Sequence, residues 1–306
     1  MTADRRLTAV SRTQGNNRRV KEGTVRPAGY VLDFDEVPVL VQAFRRMVRG
    51  TEFDVCEMAA TTYLVAKAYG KPFTALPIFL VRGFHHGAIV RSTRHGVEHP
   101  KQLEGRAVGV NRGYTVTTGV WARAVLREEY GVDLDSITWV LSGDEHVAEY
   151  RPPANVLPVP DGRTIPDMLA TGELAAAIGV DGPDLVPLIP DAAEAGIASL
   201  KRTGTFPINH LVVVKDELLA ADPGLGRAVF DAFAESKRQY LAQPGEIEAL
   251  HRRVRDVTGR DPLPYGIEAN RHVLQALIRH ALDQRILQRP PVIEELFAHG
   301  TWDLTG

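Results

Sequence analysis

Cysteine is almost missing from this 306-residue chain. Cys56 stands alone, so no internal disulfide can form and no multi-cysteine metal site can be built. An excess of one charge is missing too: 36 Lys and Arg against 38 Asp and Glu leave a net charge of -2. A chain so balanced carries no global field for nucleic acid or an anionic membrane, and any anion affinity must be local. No uninterrupted apolar run approaches the ~20 residues that span a bilayer. The first 17 residues lack the apolar core of roughly 7–15 residues of a secretory signal. These absences lead to the expectation of a cytoplasmic protein with neither nucleic acid nor membrane as partner. What remains is an ordinary globular composition, 44% hydrophobic and 24% charged, long enough for two lobes with separate cores.

Strand-like and helix-like patterns alternate along the chain. Short apolar stretches at 7–10, 31–34, 53–57, 73–81, 87–91, 107–110, 137–141, 175–180 and 206–214 read as strands. Helical periodicity appears at 37–47, where Val37, Leu40, Val41, Phe44 and Met47 recur at three and four residues, and again at 59–69, 116–130 and 165–169. After Asp216 the chain turns mostly helical, with amphipathic stretches at 225–241, 247–257 and 267–287. The 143–160 stretch, rich in proline, reads as irregular, and there is no internal repeat. Alternation of this kind predicts an α/β fold with largely parallel sheets and a helical C-terminal layer. Two lobes are expected, 1–82 with 211–306 and 83–210, joined by crossings near 82–88 and 206–210, with a ligand cleft between them.

The most informative stretch is Arg82-Gly83-Phe84-His85-His86-Gly87, a cation and two imidazoles where an apolar strand runs out into a loop. Such a position suits binding an acidic ligand and moving a proton onto it. Adjacent residues of a strand face opposite sides, so one of His85 and His86 is expected to face the cleft. A second candidate lies at Asn111, Tyr114, Thr115 and Thr117, where a strand, a glycine turn and a hydroxyl-rich helix start form a potential anion site. The alternative there is that the threonines only cap the helix. His210, on the return crossing, Phe206 beside it, and Glu57, at a strand end, complete the candidates. His85, His86, His210 and Glu57 are metal-ligand types, but no dense ligand motif joins them, which leaves a divalent metal as the less favoured alternative at this site.

Several longer segments resemble known sequences. "LEGRAVGV" at 103–110 and "MLATGELAAAIGV" at 168–180 resemble the type 2 periplasmic-binding-protein-like fold. "GTEFDVCEM" at 50–58, "VWARAVLREEYGV" at 120–132, "RTGTFPINH" at 202–210 and "PYGIEANRHVLQALIRHALDQ" at 264–284, together with 82–87, are similar to the 4,5-dihydroxyphthalate decarboxylase family. The resemblance runs from about residue 7 to residue 297. It implies a cofactor-independent decarboxylase of a hydroxylated aromatic acid. His86 matches the family's histidine and His85 stands where the family pattern has arginine, which weakens the case for a dicarboxylate held by two arginines.

Decarboxylation of such an acid requires a proton at the carboxylate-bearing ring carbon, because direct loss of carbon dioxide leaves an aryl carbanion. His86 and His210 are the expected acid–base groups and Glu57 either takes a phenolic proton or orients a histidine. Arg82 is expected to hold a carboxylate, with His85, Asn111, Tyr114, Thr115, Thr117 and Phe206 around the ring. The competing reading is a non-catalytic solute-binding protein or sensor for a small aromatic or carboxylate ligand, on the same fold. A homo-oligomer is compatible with either.

Overall fold

A computed structural model describes residues 4–306. Contacts divide the chain into two compact units, the first formed by the chain up to Gly83, Ile208–Gln275 and Pro291–Gly306, the second by Phe84–Pro207 and Ala276–Pro290.

The first unit opens with strand β1 (Arg5–Val10), helix α1 (Arg18–Lys21), β2 (Tyr30–Phe34), α2 (Leu40–Gly50), β3 (Val55–Ala59), α3 (Ala60–Ala68) and β4 (Phe73–Arg82). α2 buries Leu40, Ala43, Phe44, Met47 and Val48, the three-and-four spacing of one helical face. β3 is buried along its whole length, as a central strand covered on both faces must be. The second unit holds β5 (Ile89–Ser92), β6 (Ala107–Val110), α4 (Thr117–Tyr130), β7 (Thr138–Leu141), β8 (Val156–Pro158), α5 (Ile165–Ala170), β9 (Ala176–Ile178), β10 (Leu185–Pro187) and α6 (Ala192–Thr203). The chain then returns to the first unit as β11 (Ile208–Lys215), followed by α7 (Asp216–Ala221), α8 (Leu225–Leu241) and α9 (Ala249–Thr258), and α10 (Arg271–Asp283) begins in the first unit and ends in the second. No helix among the described residues is long and apolar enough to cross a membrane.

Each unit is built on one mixed sheet. The first has strand order β2-β1-β3-β11-β4, the second β10-β5-β9-β6-β7-β8. β1 pairs in parallel with β2 and β3, while β11 runs antiparallel to both β3 and β4. β1, β3 and β4 therefore point the same way and end along the same edge. The β4–β11 ladder is irregular: Val212 faces Leu76 and His210 faces Val81, so β4 carries extra residues there. Pro77 lies in that stretch and has no N–H to give to the ladder. In the second unit Val90, Val140, Ile165, Met168, Leu169, Leu174 and Ala177 form a core cluster. Gly109 on β6 is required by it, since a Cβ there would meet Ile165 at 2.9 Å and Leu174 at 3.0 Å.

The observed elements depart from expectation in several respects. His85 and His86 are not in a strand: residues 86–88 form a short 3-10 turn, so the alternation argument does not apply to them. α6, β8 and β10 occupy stretches where the sequence pattern suggests no element. The last long helix is shorter than its periodicity, bounded by a 3-10 turn at Glu268–Asn270 and by Arg285 at φ 59. Residues 276–290, assigned with 211–306 from the sequence, fall in the second unit, where Gln284 accepts a 2.7 Å hydrogen bond from the buried Arg123 Nε.

Candidate functional site

The register of β3 against β11 builds the central pair. Glu57 lies opposite Val212 and His210 opposite Ala59, which makes Glu57 and His210 diagonal neighbours on one face of the sheet. Glu57 Oε1 stands 2.6 Å from His210 Nδ1. Glu57 is almost fully buried and accepts three further hydrogen bonds, from Ser11 Oγ at 2.7 Å, the Arg12 backbone N–H at 2.9 Å and Gln14 Nε2 at 3.2 Å. Burial alone would raise its pKa, but the bond and charge of His210, with Ser11 and Arg12, outweigh burial and hold the carboxyl below the usual range. An ionised carboxylate only accepts, so His210 donates its Nδ1–H and keeps Nε2 for other partners. The His210 ring is 26% exposed and packs edge-on against Phe44 at 5.3 Å.

This pair opens onto a cavity of about 210 Å³ lined entirely by residues of the first unit. Cavities of about 150 Å³ can take a benzene ring, so the space is on the scale of one substituted ring. Arg12 and Arg82 bring positive charge to its wall, Glu248 adds a second carboxylate to that of Glu57, and Asn16 and His251 add polar side chains. Arg12 and Gln14 follow the end of β1 and Arg82 ends β4, so the cavity sits at the carboxyl ends of the parallel strands, where α/β sheets place ligands. Arg82 is buried, donates to Asn270 Oδ1 and to the Pro264 carbonyl at 3.3 Å, and has its pKa lowered to about 10 by burial. Asn16 donates to the Leu80 carbonyl at 3.0 Å, while its buried Oδ1 finds no hydrogen-bond partner among the described residues. Cys56, beside Glu57, is wholly buried, and burial pushes its thiol pKa up.

The remaining candidates belong to the second unit. His86 is buried and its Nε2 lies 3.2 Å from Glu129 of α4, whose carboxylate also accepts from Ser199 Oγ at 2.7 Å and pairs with Arg202 at 3.1 Å. His86 Nδ1 is buried and finds no hydrogen-bond partner among the described residues. The second unit therefore has a histidine–glutamate pair of its own, His86 with Glu129. His85 is buried at the start of the 3-10 turn.

The expected anion cradle at the start of α4 is formed, and the carboxylate in it is the protein's own. Glu145 accepts from the Tyr114 N–H at 2.5 Å, the Thr115 N–H at 3.1 Å and Thr115 Oγ1 at 2.6 Å. Gly113 permits this, since a Cβ there would meet the Glu145 carboxylate at 2.6 Å. Tyr114 is not free to stack on a ligand ring, because Arg123 lies 3.9 Å from its ring centre. Asn111 donates to the Gly179 carbonyl at 2.7 Å and accepts from Ser142 Oγ at 3.3 Å. Phe206 packs against Phe84 with centroids 5.1 Å apart, and Thr117 is buried. In this structure these side chains make packing and hydrogen-bond contacts with other residues of the second unit. Among the described residues, no three His, Cys, Asp or Glu side chains gather as metal ligands would.

No protein-family model matches the chain. A curated 4,5-dihydroxyphthalate decarboxylase from Comamonas testosteroni is 30% identical, over 84% of this chain and 85% of its own length. The chain belongs to the 4,5-dihydroxyphthalate decarboxylase family. Solved structures agree on the fold of this family member. The periplasmic sulfonate-binding protein SsuA of a putative sulfonate ABC transporter from Methylobacillus flagellatus superimposes with a TM-score of 0.55 at 12% identity, over 97% of this chain and 92% of its own. The desulfurization enzyme DSZB gives a TM-score of 0.57 at 14% identity, over 98% of both chains. A binding protein and an enzyme share the periplasmic-binding-protein-like fold, so the fold by itself does not choose between those activities.

Sequence reasoning missed Arg12, Gln14, Asn16, Glu248 and His251. Arg12 had a usable signal, a cation just beyond an apolar strand, the same argument that singles out Arg82. His251 had none, because a histidine on an amphipathic helix looks like any other face residue.

Proposed function

We propose that this protein is a decarboxylase acting without a cofactor on a hydroxylated aromatic carboxylic acid of the 4,5-dihydroxyphthalate type. The observation that carries this is the Glu57–His210 pair on the wall of a ring-sized cavity that also bears Arg12 and Arg82. Family membership supports it, since the Comamonas relative is named for that reaction.

The chemistry follows from the pair. His210, as imidazolium, delivers a proton from Nε2 to the ring carbon that carries the carboxylate. The carbon–carbon bond then breaks, its electron pair restores the aromatic ring, and carbon dioxide leaves. His210 recovers its proton from solvent, so one proton is consumed for each carbon dioxide released. Glu57 already accepts four hydrogen bonds, which suits it to orienting His210 and stabilising the imidazolium rather than to taking a phenolic proton. The guanidinium of Arg12, exposed on the cavity wall, and that of Arg82 hold carboxylate oxygens. Two arginines in one cavity restore the case for a dicarboxylate that His85 alone weakens.

Carbon dioxide release from 4,5-dihydroxyphthalate, compared with a panel of hydroxybenzoates, tests the reading. Turnover should survive exhaustive chelation and fall by about 10²–10⁴-fold in His210→Gln. Tight binding of these acids with no carbon dioxide released would favour a binding protein or sensor instead.

A further inference from the structure

His251 is a second histidine of the same cavity, and its chemistry is opposite to that of His210. It sits in α9, is 8% exposed, and its Nδ1 lies 3.0 Å from the Tyr240 hydroxyl at the end of α8. The Tyr240 oxygen accepts the Glu248 backbone N–H at 2.8 Å. Among the described residues the phenol has no other hydrogen-bond acceptor than His251 Nδ1, so Tyr240 donates its O–H there. Nδ1 is then an acceptor, and the neutral ring carries its hydrogen on Nε2. Burial holds the His251 pKa below the ordinary imidazole value, in the direction of that neutral form. The Tyr240 ring is itself fixed: it is wholly buried, and a Cβ at Gly15 would meet its Cε2 at 2.3 Å. His210 is arranged differently, with its Nδ1–H given to a buried carboxylate.

We infer that His251, with its tautomer set by Tyr240, offers a neutral Nε2–H to a ring hydroxyl oxygen of the bound acid and so selects hydroxylated over unsubstituted aromatic acids. The cavity divides the work by charge. The guanidiniums of Arg12 and Arg82 match carboxylates, which need cations. A hydroxyl oxygen that must feed electrons into the ring is matched by one uncharged donor. A full cation at that point would hold the oxygen's electrons back. His251 is therefore a binding residue and Tyr240 a positioning residue. The assignment rests on the decarboxylase reading for its ligand class, but its test needs no turnover.

Calorimetric binding of two probes, 3,4-dihydroxybenzoate and phthalate, to the full chain and to His251→Phe provides that test. Affinity for the hydroxylated probe should fall about 10–100-fold while affinity for phthalate, which has no hydroxyl, stays within a factor of about two. His251→Gln, which keeps an N–H near the same reach, should recover a large part of the loss. Histidine ¹⁵N spectra of the wild-type protein at neutral pH should show His251 protonated at Nε2 alone, and Tyr240→Phe, which keeps the ring, should mix the two tautomers. Equal losses for both probes, no loss for either, or a wild-type ring protonated at Nδ1 would overturn the assignment. A protein that releases no carbon dioxide yet shows the selective loss would overturn the decarboxylase reading and leave His251 as the hydroxyl reader.

Discussion

Glu57 shows how one side chain can be both buried and ionised. A carboxylate nearly sealed from water is stable only if its oxygens are filled, and here four donors fill them. The linkage sign follows. Its folded pKa lies below the ordinary 4.5, so its stabilisation is fully present above that pH and is lost as pH falls through the lower folded value. Glu57→Gln should cost about 1–3 kcal/mol at neutral pH, and its stability gap to the wild type should narrow as urea melts are moved into the acid range. A gap that stays constant with pH would show that the charge of Glu57 contributes nothing. In turnover assays the same variant should lower kcat more than it raises KM, because a misoriented His210 affects proton delivery before it affects binding.

At the scale of elements, helix starts and strand ends carry the site, and their surroundings decide what they bind. The N-terminus of α4 has the free N–H groups and hydroxyls of an anion cradle, and Glu145, from the loop after β7, fills it. Its role there is structural, so Glu145→Ala should lower stability by about 1–3 kcal/mol in thermal melts, with Glu145→Gln intermediate. Affinity for aromatic acids should be unchanged in both variants. A gain in anion affinity on removing Glu145 would mean instead that the carboxylate blocks a ligand site. The β3–β11 register acts the same way in the first unit. A slip of one residue would turn His210 to the other face of the sheet and separate it from Glu57.

Across the whole molecule, the chain passes between its two units four times, and the last excursion is the short stretch 276–290. That stretch matters because Arg123 is wholly buried in the second unit, and burial lowers its pKa. Gln284 accepts from Arg123 Nε and donates to the Val120 carbonyl at 2.9 Å, so it joins the segment to the centre of α4. A fragment containing only 84–207 leaves the buried guanidinium without that acceptor and should not fold cooperatively. Broad, non-sigmoidal urea transitions and poorly dispersed NMR spectra are expected of it. A sharp transition like that of the full chain would show that 276–290 is dispensable to the unit.

Much of the fold was legible because its signals are local. The apolar strand at 107–110 and the amphipathic helix at 225–241 coincide with β6 and α8, whose hydrophobic periods are strong and whose ends are marked by glycine and loop residues. Helix α6, rich in alanine and bounded by Asp191 and Gly204, gives a weak periodic signal. The candidate site was half legible. Strand-end chemistry pointed to Arg82, Glu57 and His210, and the family resemblance supplied the reaction class, because residue type and position in a strand are properties of the chain itself. That Glu57 holds His210, that Arg12 and His251 share their cavity, and that Glu145 fills the cradle at α4 were decided only by tertiary structure. Register, burial and the partner of each polar atom arise between segments far apart in sequence, and no local pattern encodes them.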